Sequence, residues 1–94
     1  MPERFYLLSQ IADTDLEEIF DYTTHKFGLE QAEKYLLEIE DIFLHLLKNP
    51  ESGKKRDEIK KGLYSFPKDN HIIFYRIFNN SIRIVRILHG SEIF

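Results

Sequence analysis

The chain predicts an α+β fold: one antiparallel sheet with an N-terminal helical hairpin on one face, in the order β-α-α-β-β-β. Three observations carry this. Apolar residues recur at helical spacing through two segments separated by the single glycine Gly28. Residues 71–78 and 81–89, HIIFYRIF and SIRIVRILH, are rich in β-branched side chains and flank only Asn79-Asn80. The length, 94 residues, suits one domain (1–94) with one core.

The elements follow in order. RFYLLS (4–9) reads as a strand, and Ser9 stands where an N-cap hydroxyl would take an orphan helix N–H. In the first helix Ala12, Leu16, Ile19, Phe20, Thr23 and Phe27 form one stripe, with Asp13, Glu17, Glu18 and Asp21 largely away from it. Gly28 ends it, as a residue tolerant of positive φ. A second helix spans about 30–48, its apolar face made by Ala32, Tyr35, Leu36, Ile39, Phe43, Leu46 and Leu47, and Asn49-Pro50 stops it. One glycine between two long helices implies an antiparallel pair. Residues 50–62, PESGKKRDEIKKG, read as a polar linker. Strands follow at 63–67, 71–78 and 81–89, with turns at Lys68-Asp69-Asn70 and Asn79-Asn80.

Composition narrows the function classes. Without cysteine there is no disulfide framework, thiolate metal site or cysteine nucleophile, which fits a reducing cytoplasm. No apolar run approaches the ~20 residues that span a bilayer, and the N-terminus lacks a secretory pattern, so no membrane association is expected. The four histidines, His25, His45, His71 and His89, make no metal-spaced pair, and no glycine-rich phosphate loop or nucleophile elbow occurs. Neither a metal nor a cofactor is expected. The formal charge of −3 is unevenly placed: residues 1–49 hold 4 Lys+Arg and 11 Asp+Glu, residues 50–94 hold 9 and 5. Two surfaces of opposite electrostatic preference follow.

A two-residue turn at Asn79-Asn80 would pair 78 with 81, 76 with 83, 74 with 85 and 72 with 87. One face of the hairpin then carries Ile72, Phe74, Val85 and Ile87, with Arg76 opposite Arg83. The other carries Ile73, Tyr75, Ile77, Ile82 and Ile84, with Arg86 and His71 further along. Both faces are largely apolar, whereas a sheet with one wet face alternates. The two helices cover one face, so the other needs the 50–62 segment or a partner chain. An acidic partner would bridge Arg76 and Arg83, which otherwise repel. On the second helix Leu37 and Leu44 lie off the apolar stripe on a shared line and form a candidate second contact seam. In this register His71 and His89 fall on opposite faces, a poor geometry for a shared catalytic site.

The order and spacing of LEEIFDY, NPESGKKRDEI, GLYSFP, HIIFYRI and IRIVRILHG resemble the ParE toxins, within the RelE/ParE superfamily of bacterial type II toxin–antitoxin systems. The resemblance covers nearly the whole chain. It implies a cytoplasmic toxin, held inactive in a hetero-oligomer with a cognate ParD-like antitoxin, that binds and inhibits DNA gyrase without catalysis and without direct nucleic-acid contact. The antitoxin would meet Leu37, Leu44, Ile72, Phe74, Arg76, Arg83, Val85 and Ile87. The target would meet His89, Ser91, Glu92, Ile93 and Phe94. RelE-type relatives share the fold and cut mRNA on the ribosome. That alternative would use Arg76, Arg83 and His89, but no His-Tyr pair or late Arg/Lys-Tyr set closes this chain, which favours the ParE branch.

Overall fold

The computed structural model describes residues 4–90. Five strands, β1 (Phe5–Leu8), β2 (Lys54–Lys55), β3 (Leu63–Lys68), β4 (His71–Ile77) and β5 (Ser81–His89), form one sheet in the order β1-β5-β4-β3-β2. Helices α1 (Gln10–Phe27) and α2 (Leu29–Lys48) pack on one face. The α+β fold predicted from the sequence is present, with two additions. The segment read as a linker contains a short 3-10 turn, Pro50–Ser52, and the two-residue strand β2, which pairs with β3. The first strand runs parallel to β5, so the sheet is mostly antiparallel. Parallel partners need a long crossover, which the intervening chain supplies.

The core lies between the helices and the inner sheet face. Ile39, Phe43 and Leu46 of α2 and Ala12 and Ile19 of α1 meet Ile73, Tyr75, Ile82, Ile84 and Ile87, all buried. Gly28 has φ 97°, so the chain reverses between the helices where a side chain would strain. The Tyr75 hydroxyl donates to the Pro50 carbonyl at 2.6 Å and accepts the Gly53 N–H at 3.0 Å, pinning the exit from α2 to the sheet. A Cβ at Gly53 would collide with the Tyr75 hydroxyl and come within 2.7 Å of the Ser65 carbonyl oxygen, so glycine is required there for space.

The hairpin register corrects the sequence expectation. Arg76 pairs with Arg83 as expected, and Tyr75 with Ile84, but Phe74 then pairs with Arg86, Ile73 with Ile87 and Ile72 with Leu88. A β-bulge at Val85 adds one residue to β5 and turns everything beyond it to the other face. Ile87 therefore belongs to the helix-covered core, 3% exposed, and not to the open face. Phe74 keeps its face but is itself only 5% exposed. Neither Asn79 nor Asn80 takes a positive φ; Asp69 does, at 52°, in the preceding turn. The Asn80 carbonyl accepts the Phe5 N–H at 3.2 Å, which ties the β4–β5 turn to β1.

The bulge is held from α1. Ser9 caps the helix by accepting the Ala12 N–H at 3.0 Å, and its hydroxyl donates to the Val85 carbonyl at 2.8 Å. Two turns on, the buried Asp15 carboxylate accepts both Arg86 Nε (3.1 Å) and Nη2 (2.9 Å), together with the Ile87 backbone N–H at 2.9 Å. The sequence stripe for α1 did not include Asp15, yet it faces inward because the bulge presents a donor there. An asparagine there keeps one acceptor oxygen but sets an NH2 donor against a donor of the guanidinium or the Ile87 N–H, and removes the charge that pairs Arg86. Asp15→Asn is expected to lower the unfolding free energy by about 1–3 kcal/mol in urea denaturation, while Asp13→Asn, on the exposed side of the same helix, stays within ~0.5 kcal/mol.

Candidate functional site

The sheet face away from the helices is the first candidate. Register places Leu63, Arg76, Arg83 and Leu7 along one line on this face, and Ser65 with Phe74 along the next. Phe5 (46% exposed) and Leu7 (56%) extend it onto the edge strand β1, and Ile72 and Val85 are half-buried. Sequence reasoning missed Phe5 and Leu7. Their alternation with Tyr6 and Leu8, which pack inward, was the available signal. The segment after β2 covers part of the face: Arg56 Nε donates to Ser65 Oγ at 2.8 Å, and Arg76 Nη2 donates to the Lys61 carbonyl at 3.0 Å. Arg83 is exposed, and neither Arg76 nor Arg83 is in an ion pair among the described residues.

Leu37 (63%) and Leu44 (47%) are exposed on α2. They are separated from Arg83 by β1, whose Tyr6 hydroxyl donates to Glu40 of α2 at 3.1 Å. The exposed apolar residues therefore run from α2 across the β1 edge to the arginines. A shallow cavity lined by Arg4, Leu44, Leu47 and Lys48 lies on that route.

The second candidate is a cleft of about 900 Å³ lined by Tyr22, Phe27, Tyr35, His71, Arg86 and His89, among others. The β5 residues in its lining, Arg86 to His89, lie past the bulge. His71 now pairs with His89, and the rings meet edge to face at 5.5 Å, which corrects their expected separation on opposite faces. The Tyr35 hydroxyl lies 2.7 Å from His71 Nδ1 and 3.3 Å from the Lys68 carbonyl. Phe27, expected in the apolar stripe of α1, is 63% exposed at the cleft wall. The three residues of the endonuclease alternative are not brought together: Arg76 and Arg83 lie on the open face, His89 on the helix side at the other end of the hairpin. Arg86 faces the cleft but is engaged by Asp15. Among the described residues no three His, Asp or Glu side chains gather as metal ligands, and no helix is long and apolar enough to cross a membrane. Ser91, Glu92, Ile93 and Phe94, expected at the target contact, lie outside the described residues.

Comparison with known proteins places the chain in a family. Residues 6–94 match the family model described as ParE toxin of type II toxin-antitoxin system, parDE. The chain is 40% identical over 85 residues to Toxin ParE1 of Mycobacterium tuberculosis, covering 89% of this chain and 87% of that one. It is 30% identical over 86 residues to Toxin ParE1 of Caulobacter vibrioides, covering 92% and 88%. A solved structure titled "Chromosomal ParDE TA system from P. aeruginosa" superposes with a TM-score of 0.78 at 21% identity, covering 93% of this chain and 95% of that chain, a likeness of fold.

Three tyrosines and one lysine hold their protons tightly. Burial raises the Tyr35 and Tyr75 hydroxyls above their ordinary 10.0, and Tyr6 rises through burial and the adjacent Glu40. Lys68 rises because Glu38 and Asp69 hydrogen-bond its ammonium, at 2.8 and 2.9 Å. In each case the folded chain keeps a proton that the unfolded chain releases at lower pH. Their stabilising contribution is thus present below about pH 10 and lost as pH rises through the folded values. Urea midpoints are expected to hold up to about pH 9 and fall above pH 10, and Tyr35→Phe should make that alkaline fall shallower.

Proposed function

This chain belongs to the ParE toxin family of type II toxin–antitoxin systems, and we propose that it is neutralised by a cognate ParD-like antitoxin and, once released, inhibits DNA gyrase by binding. The observation that carries the antitoxin half is the open sheet face. It joins half-buried Ile72 and Val85, exposed Phe5 and Leu7, and the arginine pair Arg76–Arg83. A disordered, acidic, partly apolar tail that folds on binding would satisfy that combination. Such a tail would pass around the β1 edge toward Leu37 and Leu44. Ile87 and Phe74 would support this surface from beneath, since both are buried within the chain.

The separation of Arg76 and Arg83 from His89 supports a binding inhibitor over a ribonuclease, since general acid–base cleavage needs cations and a proton donor converging on one phosphate. His89 and residues 91–94 remain the proposed gyrase contact, and the bacterial cytoplasm is the corresponding setting. The test pairs two assays on the purified chain. It should reduce supercoiling by gyrase and leave mRNA on programmed ribosomes intact; codon-positioned cleavage with unaffected supercoiling would reverse the assignment.

Arg76→Ala combined with Arg83→Ala tests the antitoxin face. The free chain loses one hydrogen bond to the Lys61 carbonyl and a like-charge contact, so its stability should change by about 1 kcal/mol or less. Antitoxin binding should weaken by at least ~2 kcal/mol, chiefly through faster dissociation. Surface plasmon resonance at physiological salt measures this, and a wild-type dissociation rate would remove the arginines from the interface.

A further inference from the structure

Against the expectation of no direct nucleic-acid contact, we propose that the sheet face opposite the helices, together with the segment 54–62 laid against it, is a binding site for the phosphate backbone of duplex DNA. Register sets Lys54 opposite Ser65, on the same face as Arg76 and Arg83. The Lys61 carbonyl is bonded to Arg76, so the stretch carrying exposed Lys60 and Lys61 joins that face. Among the described residues, Lys54, Lys60, Lys61, Arg76 and Arg83 form no ion pair, whereas Lys68, Arg56 and Arg86 do. Strands β3, β4 and β5 contain no carboxylate. Asp57 and Glu58 are the only acids in 54–62; one caps the Gly62 N–H at 2.9 Å and the other meets Arg56 at 3.4 Å.

The chemistry of the ligand follows from what accompanies the cations. The segment KKRDEIKKG has no aromatic ring on which an unpaired base could stack, Tyr64 of the neighbouring strand is stacked on Tyr75, and the exposed Phe5 stands on β1, at the opposite edge of the sheet from that segment. Cations without stacking platforms read backbone charge and not base identity. The acids of the chain are concentrated on α1 and α2, across the sheet, so the molecule is polarised: anionic DNA is attracted to one side and repelled from the other. With a formal net charge of −3, affinity must come from this local field and will be modest and salt-dependent. Arg76 and Arg83 are also the proposed antitoxin contacts. An acidic tail on them would compete with phosphate for the same cations; that competition rests on the antitoxin reading above, whereas DNA binding does not.

The test is fluorescence anisotropy of a labelled ~20-base-pair duplex with the full chain and neither gyrase nor antitoxin present. Binding should be saturable in the ~1–100 μM range and weaken steeply with salt, with a log–log slope of about −3 to −4.5 for three to five phosphate contacts. Lys60→Gln with Lys61→Gln should weaken binding by about tenfold and flatten the slope by one to two. Lys34→Gln with Lys48→Gln removes the same charge from α2 and should change affinity by less than about twofold. Poly-glutamate, an acidic chain without phosphate, should displace the duplex. Absence of saturable binding at ~50 mM salt, a salt-independent affinity, or equal losses from the two lysine pairs would overturn the proposal. Supercoiling is scored separately, so failure to inhibit gyrase removes the target reading while the DNA result decides this one.

Discussion

The Asp15 carboxylate is the constraint on which the arrangement of both candidate surfaces depends. It sits on the buried side of α1 and gathers the Arg86 guanidinium and the Ile87 N–H, both on β5 just past the bulge. Ser9 secures the other side of the bulge at the Val85 carbonyl. A bulge leaves one residue outside the ladder, and its backbone groups need partners elsewhere. Helix α1 supplies them from its cap and its second turn. The same contacts dock α1 on the sheet and decide which way β5 turns its last residues.

One residue of extra strand has large consequences because side chains alternate with a period of two. Beyond Val85, Ile87 enters the core and His89 comes to lie beside His71. The apolar material that a regular hairpin would expose is thereby divided: part completes the interior, and Ile72, Val85 and the β1 residues stay on the outer face. On that face the bulge sets Leu88 beside Ile72 in place of Ile87, with the 54–62 segment shielding Ser65 and pinning Arg76. The remaining cations are held close to apolar surface.

The two layers differ in charge as well as position. Acidic helices on one side and a carboxylate-free set of strands on the other give the molecule a direction. The asymmetry gives anionic ligands a preferred side of approach, the strands, and a side that repels them, the helices. Leu37 and Leu44 lie outside that basic region, so a wrapping partner would have to contribute different chemistry at its two ends.

Local pattern sufficed for much of this protein. The stripe on α2, the Ser9 cap, the Gly28 reversal and the strand-rich last third are properties of neighbouring residues, and period and cap chemistry report them directly. Exposed Leu37 and Leu44 were legible for the same reason, and so was the Arg76–Arg83 pair, because it lies between the turn and the bulge. What the chain's order could not reveal was the bulge itself, since nothing in IRIVRIL marks Val85 as the unpaired residue; its partners, Ser9 and Asp15, are 76 and about 71 residues away. The burial of Asp15, the faces of Ile87 and His89, the parallel pairing of β1 and the strand at Lys54–Lys55 were decided only when helix and sheet came together, because each depends on a hydrogen bond whose donor and acceptor are distant in sequence.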